Sequence, residues 1–402
     1  MRLTSLFILA VLCAQAAPTP MTLISEAEAD PVRSAITRKE VWTRESARNL
    51  RADADRRMKE GPWSVTVDRP AGVFLSLNDY YSEAPFWWPN PTDPSGPYLL
   101  REGQINAGRF TANRNALNTM SETVFTLGAA AYLLDDSRYA QRAARILNTW
   151  FVNPKTRMNP TLEYAQAIHG VNTGRAAGII EGRAFIRAIQ GMEFLIETGG
   201  WDSRDQAAVR KWFTDYLVWL TQSKRGIEEK SGPGDHAAWW AAQVAAVGSF
   251  LDDAGAEKTA FDLFRERLLP RQFRVEGIAP QNEAREAPAN SIFNLEAFAM
   301  LCRIAQVQGV DLWSARGKNG SNLGAVIDDL RPYLSDPRKW SREQISDLDS
   351  DGAYFLAFAG IGLKKPEYIA LYRRLDRPDK AWPSLVDLMV GRWEASGHQT
   401  RH

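Results

Sequence analysis

Cysteine and histidine are the scarcest reactive residues here, with two cysteines and four histidines in 402 residues. Cys13 lies in an N-terminal apolar run that export would remove, leaving Cys302 alone. An internal disulfide in the mature chain is thereby excluded. Cys302 sits in the apolar stretch LEAFAMLCRIAQ, the setting of a buried structural thiol. Surplus charge is also lacking, with 49 Lys and Arg against 48 Asp and Glu. No strong field exists to gather nucleic acid, an anionic membrane or a polyanion from a distance. An acidic ligand must be met by local arginines. After the first residues no apolar run is long enough to cross a bilayer. His169 and His236 lack the close His or Cys companions of a zinc site, so no metal or other cofactor is expected. The chain has neither a G-x-S-x-G nucleophile element nor a nucleotide-binding glycine signature.

What is present begins with a leader. Met1-Arg2 precedes LTSLFILAVLCAQA, and Ala14-Gln15-Ala16 offers a small-x-small cleavage pattern. Residues 1–16 read as a signal peptide and 17–402 as a single secreted domain, a monomer. Asn319-Gly320-Ser321 fits the N-glycosylation acceptor pattern.

Helical periodicity dominates from Ala112 onward. NALNTMSETVFTLGAAAYLL and RYAQRAARILNTWFV form an amphipathic pair joined at Asp135-Asp136. The format returns in AAGIIEGRAFIRAIQGMEFLI with SRDQAAVRKWFTDYLVWLTQS, and in HAAWWAAQVAAVGSFLDD with EKTAFDLFRERLLPRQF. SIFNLEAFAMLCRIAQ and SNLGAVIDDLRPYL make a further pair. An all-α fold of antiparallel helix pairs follows, curved or toroidal. Residues 61–104 differ, being rich in Pro, Gly, Asn and aromatics, and make a long loop. Its pairs Tyr80-Tyr81 and Trp87-Trp88 can cover a groove or fasten the loop to the helical body.

Polar residues gather where the helical pattern breaks. In HGVNTGRAAGIIEGR, Thr173 is placed to cap a helix from Gly174, which puts Arg175 in its first turn, beside Asn172. An arginine there opposes the helix dipole and calls for an acidic partner or a bound anion. In GDHAAWW, Asp235 is placed to cap a helix beginning at His236, with Trp239 and Trp240 one turn on. A positive helix terminus favours the neutral imidazole that a general base requires. A structural histidine fits the same pattern. In PQNEAREAPANSIFNLEAF, Arg285 can clamp a carboxylate or simply pair with Glu283 or Glu286. The two glutamates, with Asp235, keep glycoside hydrolysis open.

The succession DYYSEAPFWWPNP, NPTLEYAQ, NTGRAAGIIEGR, DHAAWWAAQ and REAPANSIFNLEAF resembles the alginate lyase superfamily, from about Val73 to about Tyr333. The resemblance implies an incomplete α/α toroid and extracellular β-elimination on a 1,4-linked, uronic-acid-containing glycan. It implies His236 and Arg285 as catalytic residues, with the position of the family's asparagine occupied by Asp235. The family's tyrosine position falls on Asn290, which cannot transfer a proton as a phenol does. Tyr80, Tyr81 or Tyr164 can supply a phenol from elsewhere. Tyr80, Tyr81, Trp87, Trp88, Asn172, Arg175, Trp239, Trp240, Glu283 and Asn290 are the expected substrate contacts. Two alternatives stay open: a hydrolase using Asp235 with Glu283 or Glu286, and a secreted glycan-binding protein without turnover.

Overall fold

The computed structural model describes residues 21–70, 75–274, 277–278, 288–336, 353–375 and 381–397. Residues 1–20, which hold the leader, fall outside that set.

Helices dominate the described residues. The first half carries α1 (Glu26–Thr37), α2 (Arg44–Arg57), α3 (Ala112–Leu133), α4 (Ser137–Leu147), α5 (Ala184–Glu197) and α6 (Ser203–Gln222). The second half carries α7 (Lys224–Ser231), α8 (Gly234–Leu251), α9 (Ala254–Leu263), α10 (Leu269–Gln272), α11 (Pro288–Val307) and α12 (Leu323–Ser335). The last three are α13 (Tyr354–Gly362), α14 (Pro366–Arg374) and α15 (Ala381–Ala395). Consecutive helices pack as antiparallel pairs, α3 with α4, α8 with α9 and α13 with α14, while α3 also packs alongside α5 and α8 alongside α11. This arrangement is that of an incomplete α/α toroid.

Burial divides the helices into inner and outer. From Ala237 to Phe250 every residue of α8 is buried, as is every residue of α3 from Thr123 to Leu133. Such helices are apolar all round because protein surrounds them. The inner pair α3 and α5 touches backbone to backbone, where a Cβ on Gly128 would lie 2.2 Å from the Gly191 carbonyl oxygen. Only glycine permits that approach. Outer α4 keeps one apolar face, Tyr139, Ala140, Ala143, Ile146 and Leu147. Its start is fixed by Asp136, whose carboxylate accepts the Arg138 N–H, while Asp135 before it turns the chain at φ 55°.

The long loop is not structureless. Strand β1 (Tyr81–Glu83) pairs in parallel with β4 (Tyr164–Ala167), and β2 (Trp87–Trp88) pairs antiparallel with β3 (Leu99–Leu100). A third small pair joins β5 (Phe273–Arg274) to β6 (Gly277–Ile278).

Two expected helix starts are corrected. No helix begins at Gly174, because that residue lies against the β4 backbone, where a Cβ would sit 2.2 Å from the Glu163 carbonyl oxygen. A 3-10 segment instead runs from Ala176 to Arg183, with Arg175 extended ahead of it and Thr173 capping nothing. Helix α8 begins at Gly234, preceded by an extended Pro233, so Asp235 lies inside the first turn and is not its cap. An acid there still favours the helix dipole.

Candidate active site

The short turn between α7 and α8 brings Glu229 and His236 together. His236 Nδ1 lies 2.7 Å from Glu229 Oε1. The Glu229 carboxylate is buried at 4% side-chain exposure, while the imidazole keeps 32%. No other described residue hydrogen-bonds the ring, so Nε2 is the nitrogen left to meet a ligand. Burial works against the imidazolium. The Glu229 hydrogen bond and charge, helped by Asp235, outweigh it and raise the His236 pKa above its ordinary value. The expectation that the helix terminus would favour neutral imidazole is therefore corrected: two carboxylates outweigh a partial dipole charge. Burial likewise raises Glu229, against the pull of its hydrogen bond and charge pairing with His236.

Arg175 is near enough to act on this pair by charge. Its guanidinium donates to Gln166 Oε1 at 2.7 Å, and its charge acts on both Glu229 and His236. Gln166 is held at φ 52° in β4, and its N–H donates to Ser82 Oγ. Burial pushes Arg175 down from its ordinary pKa, countered by Glu229 and Glu181. Its Nε is buried with no hydrogen-bond partner among the described residues. Glu229, Gln166 and Ser82 were not singled out in the sequence. Glu229 sits seven residues before His236, across a Gly-Pro-Gly break that conceals the contact.

A second chain of bonds fixes the start of α8. Asn294 Nδ2 donates to Gln272 Oε1 at 2.8 Å, and Gln272 Nε2 donates to the Gly234 carbonyl at 2.7 Å. Residues of α10 and α11 thereby set where His236 stands.

The aromatic expectations divide. Tyr80 is buried and donates to Glu181 Oε2 at 2.6 Å. Burial, reinforced by the Glu181 charge, drives its pKa well above the usual phenol value. Tyr81 donates to Glu83 and is also pushed up, chiefly by burial. Neither hydroxyl lies open to substrate. Tyr164 is half-buried, and its hydroxyl has no described hydrogen-bond partner. Trp240 is core, with its indole N–H on the Leu220 carbonyl, so a substrate contact there is corrected. Trp239 is also buried, lying against Phe293 and beneath Arg183. Trp87 and Trp88 remain half-exposed. Trp88 donates to the Gln104 carbonyl and carries Arg101 over its ring, so it fastens the loop to itself. Asn172 Oδ1 accepts the Ile168 N–H and closes a tight turn.

Glu283, Arg285 and Glu286 lie outside the described residues, as does the side chain of Asn290. Asn319 uses its amide nitrogen inside the fold, donating to the Pro270 and Phe273 carbonyls at 2.9 and 2.8 Å. Among the described residues no group of three or more His, Cys, Asp or Glu is placed to hold a metal. No described helix is long and apolar enough to cross a membrane.

Residues 75–340 match the alginate lyase family model. The fold is similar to that of an alginate lyase from Bacteroides ovatus, 29% identical with a TM-score of 0.83, over 92% of this chain and 99% of that one. It is more distantly similar to two alginate lyase A1-III variants complexed with tetrasaccharide. One, with histidine changed to alanine, is 11% identical, and the other, with tyrosine changed to phenylalanine, is 12% identical. Each has a TM-score of 0.52, over 85% of this chain and 86% of that one. No curated protein matches the sequence. The family match spans more than half of the chain, and the chain belongs to the alginate lyase family.

Proposed function

We propose that this protein is a polysaccharide lyase that cleaves a 1,4-linked, uronic-acid-containing glycan by β-elimination. The observation that carries the reading is the Glu229–His236 pair with Arg175 beside it. In the proposed step, His236 Nε2 takes the proton from the carbon next to the uronate carboxylate. The electrons left behind form a double bond to the neighbouring carbon, whose bond to the glycosidic oxygen breaks. That oxygen leaves with a proton from an acid. Charge developing on the carboxylate needs a cation, and Arg175 supplies one, with Arg285 as the second on the family resemblance. Asp235 opposes a bound uronate, which makes the arginines more necessary. Tyr164 is the candidate acid, because Tyr80 and Tyr81 have hydroxyls committed to carboxylates. Export fits a polymeric substrate, and the leader-like residues 1–16 support it.

Incubation of purified protein with polymeric uronates tests the reading. An unsaturated uronate product absorbing in the ultraviolet is expected. Reducing ends released without that chromophore would overturn elimination and favour hydrolysis through Asp235 with Glu283 or Glu286. Binding without any product would favour the glycan-binding alternative.

A further inference from the structure

We infer that Ser82, anchored on Glu181, is a positioning residue for Arg175: it holds the backbone of Gln166, whose side-chain amide keeps the guanidinium within charge range of His236. The consequence for turnover rests on the lyase reading above, while the positioning does not.

The arrangement starts in an irregular strand pair. Tyr81 of β1 stands opposite Tyr164 of β4, and Glu83 opposite Ala167, so β4 has one residue more than β1 between the two pairings. A bulge of this kind re-aims a side chain, and its left-handed position suits glycine. The chain instead has Gln166 there, at φ 52°, a conformation that is costly for most residues other than glycine. Glycine would supply the backbone without strain but would have no amide to offer Arg175.

A buried hydroxyl holds that backbone in place. The Gln166 N–H donates to Ser82 Oγ at 2.8 Å, and the Ser82 hydroxyl donates to Glu181 Oε2 at 2.7 Å. Ser82 is fully buried and Glu181 nearly so. Because the carboxylate takes the Ser82 proton, the oxygen turns a lone pair toward the Gln166 N–H. The Tyr80 hydroxyl shares Glu181 Oε2 at 2.6 Å, and Arg114 stands 4.0 Å from Oε1, which offsets the burial of this charge. On the far side of Gln166 the contacts reach the guanidinium. Arg175 Nη2 donates to Gln166 Oε1 at 2.7 Å, and the Arg175 N–H donates to the Ala165 carbonyl at 3.1 Å. Gly178 lets the segment after Arg175 lie against β4, since a Cβ there would be 2.5 Å from the Ala165 carbonyl oxygen. Both the backbone and the side chain of Arg175 are thus registered on β4, and β4 is registered on Glu181 through Ser82.

Titration of the His236 ring, followed by NMR, tests the inference without substrate. The charge of Arg175 lowers the His236 pKa, so Arg175→Gln should raise it. Ser82→Ala removes both bonds of the hydroxyl, and Gln166→Leu removes the acceptor alone. Each should raise the His236 pKa in the same direction, while Glu229 and Asp235, which also act on the ring, are untouched in every variant. In the Arg175→Gln background neither substitution should move the titration further. On polymeric uronate, kcat/KM should fall by about 10–100-fold in each single variant, with no further loss when Arg175 is already changed. Thermal unfolding checks that each variant is folded, and Gln166→Leu decides the matter where Ser82→Ala does not fold. A titration left in place by Gln166→Leu would overturn the inference, as would losses that add to those of Arg175→Gln. Shifted titrations in a protein that forms no unsaturated product would leave the positioning standing and sink the elimination reading.

Discussion

Glu229 Oε1 lies 2.7 Å from His236 Nδ1, across the turn that joins α7 to α8. The contact holds the ring through Nδ1, leaves Nε2 without a hydrogen-bond partner among the described residues and favours the protonated imidazole. A base must be neutral to accept a proton, so kcat/KM should fall as pH drops through the raised His236 pKa. The midpoint of that acid limb should therefore lie above the ordinary histidine value of about 6.5. Glu229→Gln removes the carboxylate that favours the charged ring, so the limb should move to lower pH. A limb that stays in place would separate the pair from catalysis.

His236→Ala should reduce turnover by about 10²–10⁴-fold, the range for losing a general base. Thermal unfolding should shift by only a few degrees, because the imidazole is partly exposed and off the core. Wild-type turnover in this variant would make His236 structural.

Tyr164→Phe and Tyr80→Phe should differ in kind. Tyr80→Phe leaves the buried Glu181 without one of its donors and should cost about 1–3 kcal/mol of stability. Tyr164→Phe should leave stability unchanged and lower kcat, with KM little affected. Full kcat in Tyr164→Phe would remove it as the leaving-group acid.

Glu193 predicts a pH dependence of stability remote from the candidate site. Its buried carboxyl accepts the Thr22 N–H at 2.8 Å and the Thr22 hydroxyl at 2.7 Å. Burial, only partly offset by these bonds, pushes its pKa up to about 8. The folded state thus holds this proton more tightly than the unfolded chain. Its stabilising effect is complete below the unfolded value of about 4.5 and is lost as pH rises toward 8. The loss is on the order of 5 kcal/mol, taking 1.36 kcal/mol per pKa unit. Glu193→Gln should flatten the profile and make the variant the more stable protein at pH 8. Parallel denaturation curves for both proteins from pH 5 to 8 would rule the effect out.

Asn319 tests the glycosylation pattern. Its amide nitrogen holds two carbonyls, and its Oδ1 accepts the Ser321 N–H and hydroxyl. Asn319→Ala should destabilise the fold by about 1–3 kcal/mol in protein that carries no glycan. A neutral effect in denaturation would show that these bonds add nothing.

Much of the architecture was legible because helix periodicity, capping and burial are local. The pair α3 and α4 reads directly from its apolar spacing and from Asp135-Asp136. Cys302 was expected buried, and it is. His236 was legible as a polar interruption at a helix start, and Arg175 as a cation in an unfavourable place. Their helix boundaries were not, because backbone contacts decided them: Gly174 lies against β4, and the chain enters α8 through an extended Pro233.

The sequence by itself determined the helical class, the order of the pairs and the family, since each rests on spacing along the chain. Only the tertiary structure decided which polar groups share a charge. Glu229 meets His236, Glu181 takes the Tyr80 hydroxyl, and Trp240 turns into the core. Spacing along a chain specifies which face a side chain occupies. What stands opposite that face, and how far water is excluded there, follows from packing between distant elements, and these set both pKa and access.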